Sequence, residues 1–285
     1  MTRWTDLARP GGAGCASRDF WLIPFDRPGE DIHDRIEDAV RDGIEQPAPP
    51  GGLPAGEPRG QLLHHGPAAG GLAIAVAVET TGRSVAGYWP RLAGGPAVAV
   101  AVESLALAPS RLEAMVQARL PAQGDLRLIW FDQDFPVSRA RYAAGGVTAV
   151  APVAIAHVAA LDPGEPGLLR PGDPGHAEGA AADPAALRSD GTILVPVRGT
   201  VALIHRPDEA PHAWELRGPV RALTVLPRPL IGQPAARATI EVARPPTGAP
   251  LVLDVVLTAA VWGDGPWPEP GQELQAVVLL HAGPV

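Results

Sequence analysis

Glu215-Leu216-Arg217-Gly218-Pro219-Val220-Arg221-Ala222-Leu223-Thr224-Val225-Leu226 is one long run of strand-forming residues, closed by the Pro/Gly turn at 227–234. Runs of the same kind lie on both sides of it. They predict strands at 192–197, 201–205, 215–226, 235–243, 250–258 and 273–281, each bounded by proline or glycine. Across the chain, 34 Pro and 33 Gly accompany 46% apolar residues, a balance that favours short elements joined by turns over a helical bundle.

The last four strands have an order. A long strand opens with Arg217-Gly218-Pro219-Val220, and two strands of a meander follow. An irregular stretch at 259–270 leads to Gly271-Gln272-Glu273-Leu274 and a closing strand. This order, over about residues 215–285, resembles OB-fold domains, in which meander strands, a helix or loop and returning strands close a small barrel. One strand of that barrel is not separately readable. Either 273–281 bends into two strands, or an earlier strand fills the place. The resemblance implies ligands, oligonucleotides or sugars, on a strand face and its bordering loops. Arg217 and Arg221, four apart on a strand, share a face; Arg228 sits in the first loop and Arg237 begins the next strand. Trp262 and Trp267 could stack on a base or plug the barrel end. Asp264, Glu269 and Glu273 surround that pair and work against phosphate, which needs a cationic surface. The same Trp and Arg residues would serve a protein partner equally well.

Working outward, residues 1–20 read as an irregular arm and 21–25 as a short strand. Acids then open a helix to about Ile44, with Ile32, Ile36, Val40 and Ile44 on one face and a Glu37–Arg41 pair. The stretch 46–60 is loop. Ala73-Ile74-Ala75-Val76-Ala77-Val78 and Ala97-Val98-Ala99-Val100-Ala101-Val102 alternate Ala with branched residues, as expected of strands buried on both sides whose methyl face admits a close second layer. Ser110 and Glu113 form a capping box that predicts a helix to Leu120. Strands follow at 125–131 and 147–159. Pro/Gly-rich residues 162–190 read as a linker or long loop between an N-terminal part, 1–161, and a β-rich part, 191–285. The expected class is α+β and β-rich: an N-terminal mixed sheet with two short helices, plus a small OB-like barrel.

The chain has no lysine and no asparagine; all 23 basic residues are arginine. GC-rich coding explains this most simply, yet it removes P-loop, Schiff-base and kinase-type lysine chemistry. Cys15 alone excludes an intramolecular disulfide and a multi-cysteine metal site. No apolar segment precedes it, and the run 142–161 is too weak for a membrane span, so a cytoplasmic protein with no membrane partner is expected. Net charge is −8, which does not suit a nucleic-acid binder.

No cofactor motif is present. His33, His64, His65, His157, His176, His205, His212 and His281 are scattered, and the adjacent His64 and His65, before a Gly-Pro turn, point apart. No Gly-x-Ser-x-Gly elbow occurs, and Gly11–Gly14 lacks the spacing and preceding strand of a dinucleotide loop. Asp132 and Asp134 are the sharpest acidic pair and a weak metal candidate. They read more simply as a polar strand end turning at Phe135-Pro136, neutralised by Arg139 and Arg141. The expectation is a non-catalytic protein-interaction or regulatory module whose partner is another protein. An OB-type binder of single-stranded nucleic acid or a small ligand is the alternative. A metal-assisted enzyme is the third reading, and it requires Asp132 and Asp134 to meet a histidine.

Overall fold

A computed structural model describes residues 3–6, 23–25, 32–47, 59–67, 70–143, 145–162, 167–169, 171, 187–195, 199–246 and 249–285. Cys15, His176 and most of 162–190 lie outside the described residues. In chain order the elements begin with β1 (Arg3–Asp6), a 3₁₀ turn (Ile23–Phe25), α1 (Ile32–Asp42), β2 (Ile44–Glu45), β3 (Arg59–His65), β4 (Gly70–Glu79) and β5 (Gly82–Leu92). They continue with β6 (Val98–Ala99), β7 (Ala101–Leu107), β8 (Ala114–Leu120), β9 (Leu126–Asp132), α2 (Phe135–Ala143) and β10 (Ala149–Leu161). The remainder is β11 (Gly167–Leu169), β12 (Ile193–Val195), β13 (Ala202–His205), β14 (Ala213–Val225), β15 (Ala235–Ala243), β16 (Leu251–Thr258), α3 (Ala259–Trp262) and β17 (Glu273–Pro284).

Five strands close a mixed barrel in the ring β14-β15-β16-β10-β17. The C-terminal half of β14 pairs with β15 and its N-terminal half with β17, both antiparallel. β15 and β16 are antiparallel; β16 and β10 run parallel, Val153 opposite Asp254. β10 and β17 pair antiparallel along nearly their whole lengths, from Val150 opposite Pro284 to Leu161 opposite Leu274. An earlier strand thus takes the place left open in the sequence pattern. The inward residues alternate, as a pleated strand requires: Leu216 and Val220 on β14, Ala238, Ile240 and Val242 on β15, Leu251, Leu253, Val255 and Leu257 on β16. Gly218 allows β14 to bend against β15, since a Cβ there would collide with the Glu241 carbonyl oxygen.

The barrel sheet does not stop at β17. Its end pairs parallel with β9, His281 opposite Phe131, and β9, β8, β7 and β1 extend it outward. A second, antiparallel sheet, β2-β3-β4-β5, lies over the outer face of this joined surface. The alternation in β4 separates two packing layers. Ala73 and Ala75 face the barrel sheet with Leu62 and Trp89, whereas Leu72, Ile74 and Val76 pack with Ala39 and Ile36 of α1. Methyl groups let the two sheets approach, and the branched side chains fill the space under the helix.

Several expectations are corrected. The N-terminal residues build an antiparallel four-stranded sheet and also feed the large mixed sheet, rather than one mixed sheet. Residues 114–120 are a strand, not a helix. Arg111 has φ 55, and the Ser110 hydroxyl accepts from the Leu112 amide at 3.3 Å, so the capping-box residues make the β7–β8 turn. Ala114, Val116, Ala118 and Leu120 then recur with period two into the barrel-side core. The second helix is α2, where a Phe135-Pro136 turn was expected; proline is tolerated in a first helical turn because its missing amide would be unpaired there. Ile23–Phe25 is a 3₁₀ turn rather than strand; Pro24 has no amide for a ladder. In α1, Ile36 and Ala39 form the packed face, while Val40 and Ile44 are exposed, and Arg41 pairs with Asp38 and Asp42 instead of Glu37. Of the second Ala/branched run, only β6 and β7 are strand, and most of those residues are half-buried.

Candidate functional site

Three of the four arginines that a ligand would meet on the barrel are engaged by acids of this chain. Arg217, projecting outward from β14, contacts Asp162 and lies 4.0 Å from Glu273. Arg221 donates to Glu241, which also accepts from Arg244. Arg237 stands 3.9 Å from Asp254, whose other oxygen accepts from Thr239 at 2.8 Å. Arg228 is exposed in the 226–234 turn. The structure therefore does not bring the four together as one free cationic surface.

The outer face of β15, β16 and β10 is not open either. Ala235, Val256, Val153 and Ile155 are buried there against Leu62, Ala73, Ala75 and Trp89 of the second sheet. Leu230, in the turn after β14, joins the same cluster. The 3₁₀ turn seals the end of this layer: Thr258 Oγ1 donates to the Pro24 carbonyl at 2.5 Å, and Gln233 Nε2 to that of Phe25 at 3.4 Å.

Asp132 and Asp134 sit where the two sheets join. Asp132 is fully buried at the end of β9; its carboxylate accepts from the Asp134 amide and from the Ser138 hydroxyl, each at 2.8 Å, so it organises the start of α2. Burial, and then the neighbouring Asp134 charge, push its pKa up to about 7, against the pull of those donors and of Tyr142. Asp134 lies on the rim, and its partner is Arg91 of β5 at 2.8 Å. The expected neutralisers are elsewhere: Arg139 is buried and reaches the Arg111 carbonyl at 3.4 Å, and Arg141 donates to the Val285 carbonyl at 2.7 Å. His64 does approach Asp134 and Arg91, and burial, then Arg91, lower its pKa. Of the pair, Asp134 is the carboxylate whose charge reaches His64.

Between these acids lies a residue that no motif or spacing singles out. Gln133 accepts from the Leu92 amide at 2.9 Å and donates to the Leu92 carbonyl at 2.8 Å; its own carbonyl accepts from the Trp89 indole at 3.0 Å. It acts as a one-residue strand against the end of β5. Two other residues the sequence left scattered also meet here. The rings of His212 and His281 are 6.1 Å apart, both fully buried and both edge-on or tilted to Phe131. Burial holds His281 down to about 3 and His157 to about 4, and His212 well below its ordinary value. Among the described residues no group of three or more His, Cys, Asp or Glu is arranged to hold a metal ion.

Apolar side chains of the barrel also reach solvent. On the outer face of β10, β17, β14 and β13, Val158, Val277, Glu215 and Ile204 stand in one cross-strand row. Val158 is 63% and Ile204 54% exposed. At the barrel end, Trp262 and Trp267 are stacked with ring centroids 6.4 Å apart and planes 25° apart. Both are half-buried and pack against the barrel core, and Trp262 Nε1 donates to the Pro266 carbonyl at 2.8 Å. Among the described residues no helix is long and apolar enough to cross a membrane. No family model, curated protein or solved structure matches the chain.

Proposed function

We propose that this chain is a protein-interaction module built on an OB-type barrel whose ligand face is used internally. The strand order supports the barrel reading: β14, β15 and β16 take the places of the three meander strands, β17 of the fourth and β10 of the fifth, which here comes first in the chain. The single observation that carries the function is that the face of β15, β16 and β10, where such barrels take ligands, is buried under the chain's own sheet. The paired Arg217, Arg221 and Arg237 point the same way, because a phosphate backbone would have to displace carboxylates before it gained anything. Val158 and Ile204, exposed on the barrel wall, and the half-buried Trp pair at its end are among the residues left to solvent, and they are of the kinds that anchor protein partners. The test is affinity purification of the tagged protein from its own source lysate, with and without nuclease. A protein retained in both halves, and lost from a Val158→Glu/Ile204→Glu/Trp267→Ala variant, is the expected result; material seen only without nuclease would overturn it in favour of nucleic acid.

A further inference from the structure

We infer that the loop carrying Trp262 and Trp267 receives a cationic side chain, lysine or arginine, from the partner protein. The inference rests on the interaction reading above and gives the partner a chemistry. Residues 245–280 contain no Arg, Lys or His, and four acids: Asp254, Asp264, Glu269 and Glu273. Asp264 and Glu269 are exposed and flank the indoles within the loop. The indoles are held in place, Trp262 by its bond to Pro266 and both by the barrel core beneath, so little ordering is left to be done on binding. Glu269 is also fixed through its backbone, whose amide donates to Gln272 Oε1 at 2.7 Å. The negative face of an indole attracts a cation, and exposed carboxylates beside it add attraction of the same sign. A phosphate or an acidic peptide meets the opposite field, and an uncharged ligand gains nothing from the acids.

The probe is an unstructured peptide of alternating lysine and glycine, titrated into the full-length protein at low salt by calorimetry. Controls are a glutamate–glycine peptide and a single-stranded oligothymidylate. Saturable binding of the lysine peptide, weakened by salt, is expected. Trp267→Ala should weaken it by about tenfold, and Trp267→Phe by less because a ring face remains. Asp264→Asn/Glu269→Gln changes only exposed groups and should weaken binding severalfold even if the Trp267→Ala variant does not fold. Absence of saturable binding, equal affinity for the glutamate peptide or the oligonucleotide, or affinity unchanged in the charge variant would overturn the inference. A partner still recovered from nuclease-treated lysate in that event sinks this site and leaves the interaction reading standing; no partner at all sinks the reading itself.

Discussion

Replacing Gln133 by leucine should loosen the join between the two sheets at the end of β5 while leaving the barrel itself folded. The side chain is buried, and its amide satisfies both the amide and the carbonyl of Leu92, a residue itself 1% exposed. Leucine keeps most of the volume and removes both partners. Each orphaned buried group costs about 1–3 kcal/mol, so the pair costs about 2–6 kcal/mol. The extra apolar burial returns about 1–2 kcal/mol, leaving a net loss of about 3 kcal/mol. The Asp134–Arg91 pair and the Trp89 bond to the residue-133 carbonyl are untouched by the substitution, so the loss is local to the end of β5. Urea unfolding would measure the total, and amide hydrogen exchange would locate it: faster exchange in β3–β5, protection unchanged in β14–β17. A shift below about 0.5 kcal/mol, the range of ordinary surface changes, would refute the view that Gln133 holds the sheets together. So would loss of protection that begins in the barrel.

Asp132→Asn tests the buried carboxyl. With a folded pKa of about 7 against an ordinary 3.8, the folded state holds the proton more tightly, so its contribution is intact below pH 4 and is lost as pH rises through 7. The stability difference between variant and wild type should therefore grow in the variant's favour by about 2–3 kcal/mol from pH 5 to 8, read by denaturation at each pH; a constant difference refutes it. His157, His212 and His281 have the opposite sign. Their folded pKa values are depressed, so stability present above pH 6.5 is lost as pH falls toward 4, and an unfolding midpoint that stays flat over that window would contradict their burial. Ala75→Leu should cost about 1–3 kcal/mol by overpacking the methyl face, whereas Ile74→Val, under α1, should cost about 0.5–1.5 kcal/mol. Equal effects would mean the two faces of β4 are not differently packed.

Much of the fold was legible because strands announce themselves locally. The span 235–243 agrees with β15 at both ends, and the Ala/branched alternation of 73–78 foretold two unlike layers, since a period of two assigns faces without reference to any partner. What stayed hidden was pairing. Residues 147–159 read as a strand, but nothing within that run says it will lie between β16 and β17, because the choice is made by strands a hundred residues away. The capping box at Ser110 misled for a related reason: its hydrogen-bonding groups serve a tight turn as well as a helix start, and the two-residue period of 114–120 outweighed it once β7 and β9 lay on either side. Asp134 shows the same limit at the level of one side chain, since its cation came from β5 and not from the neighbouring helix.

The outer face of β15, β16 and β10 is closed to a ligand by the chain's own second sheet. Packing the second sheet over β15, β16, β10 and β17 removes apolar surface from water at Val153, Ile155, Val256 and Leu279, and each such side chain contributes about 1.5–3 kcal/mol when buried. An incoming ligand on that face would have to replace this contact, together with the Gln133–Leu92 clasp and the Arg91–Asp134 pair at its end. Few ligands could supply that. Under the proposed interaction reading, binding at the barrel end or on the Val158–Ile204 row would leave the clasp intact, so a partner would meet a preformed surface and no internal interface would have to open. On that reading the sheets would serve as scaffold, and specificity would fall to exposed side chains that the barrel holds in place.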